Sequence, residues 1–152
     1  MSVTYLVYSF SSALGSERSR GKIILQQPNS RKERYILKCY ASGRPILQLL
    51  LDEKTTKYKN EWIVELSHSK AKTILQLCKN ISFSVNAKGL RLTGRDGFDF
   101  SLRFYSGMNS VELVWWCDLP EEWQSLAPLV HILNKLVAEH IPSGEWILKP
   151  ND

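Results

Sequence analysis

Much of the first third of the chain reads with a period of two. Residues 3–10 are rich in Val, Tyr and Leu, and residues 22–27 form a second short apolar run. Residues 34–41 set Tyr35, Leu37 and Cys39 against Arg34, Ile36, Lys38 and Tyr40. Such alternation predicts strands with one face on a core and the other toward solvent. Pro28-Asn29-Ser30 reads as a turn between the second and third of them. Residues 46–51 and 62–66 predict further strands, separated by a charged loop over 52–60. The period then changes. Ala71, Ile74, Leu75 and Cys78 recur at helical spacing behind a capping Ser67 or Ser69. Lys79 opposes the dipole at the helix end, and Asn80 suits a left-handed exit.

The second half repeats this order. Residues 81–85, 90–93, 98–105 and 111–116 predict strands. The clearest places Phe98, Phe100, Leu102 and Phe104 opposite Asp99, Ser101, Arg103 and Tyr105. Asp118-Leu119-Pro120-Glu121 predicts a helix start with Asp118 as its cap, and the helix runs to about His140. Its wide stripe of Trp123, Leu126, Leu129, Val130, Ile132, Leu133, Leu136 and Val137 suits packing across a sheet. Residues 145–149 return as a short strand or docked tail. The order is therefore roughly ββββ(β)α followed by ββββα. It predicts an α+β fold with antiparallel sheet and two helices. We expect one domain over residues 1–152, with structural halves at 1–80 and 81–152.

Composition narrows the function classes. At 152 residues, 43% hydrophobic and 23% charged, the chain matches an ordinary globular protein. No apolar run approaches the ~18 residues a membrane span needs, and the first residues lack a signal-peptide pattern. The expectation is a cytoplasmic protein with no membrane partner. Cys39, Cys78 and Cys117 sit among apolar neighbours and read as small buried hydrophobes. Of the three histidines, His131 reads as a boundary residue and His140 as a helix-end cation, with no metal-ligand spacing. Of the adjacent Trp115 and Trp116, one should enter the core and the other face the opposite way.

Catalytic motifs are not found. Gly15 and Gly21 flank five residues before Lys22, but Ile23 follows where a phosphate loop needs Ser or Thr, and a strand follows where it needs a helix. No serine sits in a G-x-S-x-G elbow. The sequence predicts a non-enzymatic binding module without metal or cofactor. A small divergent nuclease, whose carboxylates need no tight spacing, ranks third.

The charge is uneven. Residues 1–44 hold eight basic and two acidic residues, a net of +6, whereas the other 108 hold twelve and thirteen, a net of −1. Basic and aromatic residues interleave there, which suits phosphate neutralisation with base stacking. The predicted nucleic-acid surface comprises Arg18, Arg20, Lys22, Arg31, Lys32, Arg34, Lys38, Tyr40 and Arg44, with Tyr35 or Tyr40 available to stack. The element order resembles that of the Whirly and Pur-alpha single-strand-binding domains. That likeness implies single-strand binding but lies in element order alone. The Lys-Gly-Lys-Ala-type strand motif of Whirly proteins is absent, and no residue role is carried over. The alternative is a protein-binding accessory or inhibitor of the toxin-neutralising kind, docking an acidic protein through the same basic third.

Overall fold

The alternating segments pair into one antiparallel sheet. A computed structural model describes residues 2–12, 20–29, 31–42, 61–84 and 97–141, with Ser12 and Ser42 described in their backbone alone. The strands are β1 (Val3–Ser12), β2 (Arg20–Gln27), β3 (Tyr35–Ser42), β4 (Glu61–Leu66), β5 (Phe98–Ser106) and β6 (Asn109–Trp116). Helix α1 spans His68–Lys79, and α2 spans Ala127–His140. The sheet order is β4-β3-β2-β1-β5-β6, so the first four strands meander outward from β1. The chain then returns through α1, and β5 pairs with the free side of β1. Among the described residues the element order is ββββα then ββα, an α+β fold.

Strand alternation divides the sheet into two unlike faces. Leu6, Tyr8 and Phe10 of β1, Ile23 and Leu25 of β2, Leu37 and Cys39 of β3, and Phe100 and Leu102 of β5 are all buried on one face. The helices cover that face. Ala71 and Ile74 of α1, with Leu129, Leu133, Leu136 and Val137 of α2, complete a single cluster with it. Two polar contacts fix α2 on the sheet: the Tyr8 hydroxyl donates to Asn134 Oδ1 at 2.7 Å, and Trp62 Nε1 donates to the His140 carbonyl at 3.0 Å. The buried Gln27 is satisfied on both sides of its amide. It accepts from the Tyr5 hydroxyl at 2.6 Å and donates to the Lys32 carbonyl at 2.8 Å.

Two glycines have steric reasons. Gly21 lies under the Phe10 ring, where a Cβ would stand 2.4 Å from Phe10 Cζ. Gly107 opens the two-residue β5–β6 turn at φ 59°, the left-handed geometry that hairpin connections use.

Several sequence expectations are corrected. Residues 81–84 are not a strand: the Ser82 carbonyl accepts from Ser125 Oγ and the Ser84 carbonyl from Trp123 Nε1, so both serve side chains instead of a strand partner. Asp118 does not cap a helix. It is exposed in a bend, and Glu121–Leu126 form a 3-10 helix with no side-chain cap. The helical turn starts at Glu121 behind Pro120, so Asp118 stands two residues before the cap position, and the backbone leaves helical range at Trp123, φ −110° and ψ 16°, where the buried indole donates to Ser84. The α-helix proper begins only at Ala127, with Pro128 in its first turn. Ser67 does cap α1, its Oγ accepting from Lys70 N at 3.3 Å, but Asn80 exits at φ −103° and not in left-handed geometry. The strands expected at 46–51, 90–93 and 145–149, and residue 85, lie outside the described residues.

Candidate nucleic-acid interface

The face turned away from the helices carries four of the predicted residues, Arg20, Lys22, Lys38 and Tyr40. Cross-strand register arranges them in rows. One row runs Glu61, Tyr40, Lys22, Ser9, Ser101, Val114 from β4 to β6. The next row toward the β2–β3 turn runs Ile63, Lys38, Ile24, Val7, Arg103, Glu112. On the other side lie Arg20, Ser11, Asp99 and Trp116. Arg20, Lys22, Lys38 and Tyr40 are thus brought together on two adjacent strands, although eighteen positions separate Arg20 from Lys38 in sequence. Arg31 and Lys32 are exposed at the β2–β3 turn, where Asn29 Oδ1 accepts from Arg31 N at 3.0 Å. They form a second group at the far end of the strands. Arg18 and Arg44 lie outside the described residues.

Ion pairing sorts the cations. Arg34 is engaged bidentately by Glu65 at 3.1 Å for each bond, and Arg103 meets Glu112 at 2.7 Å. The Arg103 hydrogen bond holds the Glu112 carboxyl below its ordinary range, and Ser101 Oγ adds a second bond to it at 3.2 Å. Arg20, Lys22 and Lys38 have no acidic partner among the described residues. The Lys22 ammonium instead lies 4.5 Å from the centroid of the Tyr40 ring. The Tyr40 hydroxyl donates to Glu61 at 3.1 Å, and burial together with that bond raises its pKa. Lys22 therefore leans toward β3, away from the serines beside it.

That lean leaves a trough. Ser9, Ser11 and Ser101 are short and occupy adjoining positions on β1 and β5, between Lys22 and Tyr40 on one side and Val114 on the other. The concavity holds about 430 Å³, with Arg20 and Asp99 on its lining. It falls in the size range of small-ligand sites, roughly 300–1,000 Å³.

Other expected residues fall elsewhere. Tyr35 cannot stack on a ligand, because its ring is buried on the covered face between Tyr5 and His68, at centroid distances of 6.2 and 5.9 Å. Trp115 is the core tryptophan of its pair, 5.6 Å from the Phe100 ring, and Trp116 faces the open side. Cys39 is buried and Cys78 half-buried, and burial pushes each thiol up to about 11. Cys117 departs from the expectation: it is exposed at φ 50° just beyond β6. His131 is exposed and not a boundary residue, while His140 does close the last turn of α2. Among the described residues, no group of three His, Cys, Asp or Glu side chains is placed to hold a metal ion, and no helix is long and apolar enough to cross a membrane.

Asp99 and the three serines were not among the residues the sequence pointed to, whereas the outward-facing member of the Trp115-Trp116 pair was a candidate contact residue. Their alternation was visible, but the pairing of β5 with β1, which sets them beside Lys22, was not. No family model matches the chain, and no curated protein is significantly similar to it.

Proposed function

We propose that the open face of the sheet binds single-stranded nucleic acid. The observation that carries this reading is the grouping of Arg20, Lys22 and Lys38 on one face of β2 and β3, without acidic partners among the described residues. A strand laid across them exchanges condensed counterions for these cations. Tyr40 and Trp116 add aromatic surface on the same face, which accepts any base. Arg31 and Lys32 extend the positive strip toward the turn, whereas Arg34 contributes less because Glu65 already neutralises it.

The second reading, an acidic protein docked on the same face, draws on Ile63, 60% exposed beside Lys38, and on Val114, 50% exposed across the face on β6. Salt-dependent binding to oligonucleotides separates the two. At low ionic strength the protein should retain single-stranded DNA or RNA, with a log–log salt slope of about 0.7 per neutralised phosphate. Replacing Arg20, Lys22 and Lys38 by Gln should lower that slope by about 2. Absence of any salt-dependent retention sinks the nucleic-acid reading and leaves the acidic protein.

A further inference from the structure

The trough on the open face is polar at its two ends in opposite senses. Arg20 pairs with Ser11, and Ser11 with Asp99, so cation and carboxylate stand two strands apart in one row. At ~4.8 Å per strand the span between them is roughly 10 Å. Ser11, and Ser9 in the adjoining row, are too short to fill it. An occupant must therefore present an anionic group at the β2 end and hydrogen-bond donors at the β5 end. We propose that this trough takes one guanine nucleotide of the bound strand, its phosphate on Arg20 and its base edge on Asp99. The assignment rests on the single-strand reading and makes it base-specific.

The choice of base follows from the carboxylate. An ionised Asp only accepts, through two oxygens side by side. Guanine offers two adjacent donors on its Watson–Crick edge, N1–H and the N2 amino group, which match that pair. Adenine and cytosine offer one amino donor beside a ring acceptor, and thymine and uracil one imino donor between two carbonyls. Each of these four sets an acceptor against the carboxylate. Unpaired strands leave this edge available for such contacts. The hydroxyls of Ser9 and Ser11 can donate to the guanine O6. Val114, on β6 beside the Asp99 end, offers apolar surface to the base. Glu112, the neighbouring carboxylate on the face, is held by Arg103 and Ser101. Asp99 has no ion pair among the described residues, so its oxygens are the ones left to read a base.

The test is fluorescence anisotropy with short oligodeoxynucleotides in lithium buffer, which suppresses guanine quartets. Three probes of about eight nucleotides suffice, within the usual span of a single-strand site: thymidine throughout, thymidine alternating with guanosine, and thymidine alternating with inosine, which lacks the N2 amino group. The guanosine probe should bind about tenfold more tightly than the thymidine probe, and the inosine probe should fall back toward it. Asp99→Asn should abolish the guanosine advantage over the thymidine probe. Equal, salt-dependent binding of all three probes overturns the guanine assignment and leaves strand binding standing. Preference retained in Asp99→Asn overturns the role of Asp99. Failure of all three probes to bind removes both the assignment and the strand-binding reading beneath it. The inosine comparison uses the wild-type chain, so it decides the base preference even where Asp99→Asn melts early.

Discussion

The two faces of this sheet are built from alternate residues of the same strands, yet they obey different rules. On the covered face Leu6, Tyr8, Phe10, Ile23, Leu25, Phe100 and Leu102 meet the helices with almost no exposed surface. Shape decides there, because each side chain touches several others and close packing leaves no room to adjust. On the open face Ser9, Ser11, Lys22, Lys38, Asp99 and Ser101 occupy the intervening positions. There the solvent tolerates almost any side chain, so a patterned set of charges and hydroxyls has little to do with stability. The difference teaches where to look for function. A face freed from the demands of packing that still carries grouped cations, a carboxylate and a serine-floored trough is the part of the molecule available for a ligand.

The contrast predicts unequal responses to mutation. The largest belongs to the covered side: Trp123→Ala should cost about 3–5 kcal/mol, since it removes a buried ring and leaves the Ser84 carbonyl without its indole donor. An unchanged denaturant midpoint would remove Trp123 from the core. Next, Gly21→Ala should cost about 1–3 kcal/mol by driving a methyl into the Phe10 ring. A neutral result would mean that ring moves freely, contrary to a packed face. Alkaline pH should then distinguish the faces without any change of shape. The Cys39 thiol, ordinarily near 9, is pushed by burial to about 11. The unfolded chain releases this proton first, so the stabilising contribution is whole below pH 9 and is lost as pH rises toward 11. Urea midpoints of the wild type should therefore fall more steeply across that window than those of Cys39→Ala, and parallel curves would contradict the burial of the thiol. The smallest effect should come from the exposed bend at Asp118. Asp118→Ala should shift stability by less than about 0.5 kcal/mol, because no helix depends on that side chain. A loss near ~1 kcal/mol, typical of a removed cap, would reinstate the capping role that the sequence suggested.

The six strands among the described residues, the α+β class and the inward residues of α2 were legible from periodicity, because burial on one face leaves a mark every second or every third to fourth residue, but the alternation at 81–84 did not make a strand. Lys38 and Tyr40 were legible as sharing a face for the same reason, and the hairpin that sets Lys22 beside them is a local event, whereas Arg20 lay outside the strand expected at 22–27. Other features depend on partners distant in sequence. Asp99 and Ser101 reach Lys22 only because β5 returns to pair with β1 across the whole intervening segment, and no local pattern encodes that choice. The Glu65 carboxylate that neutralises Arg34 comes from β4, thirty-one positions away, so a count of charges overstated the basic strip. Trp123 shows the same competition inside one element. Local signals pointed to a helix start at Asp118, yet the segment divides at Trp123, whose indole donates to the distant Ser84 carbonyl, into a 3-10 turn and α2. Periodicity thus determined which side of each strand faces the core, since that is a property of adjacent residues. Long-range pairing determined which residues became neighbours on the other side, since cross-strand contacts follow register and not distance along the chain.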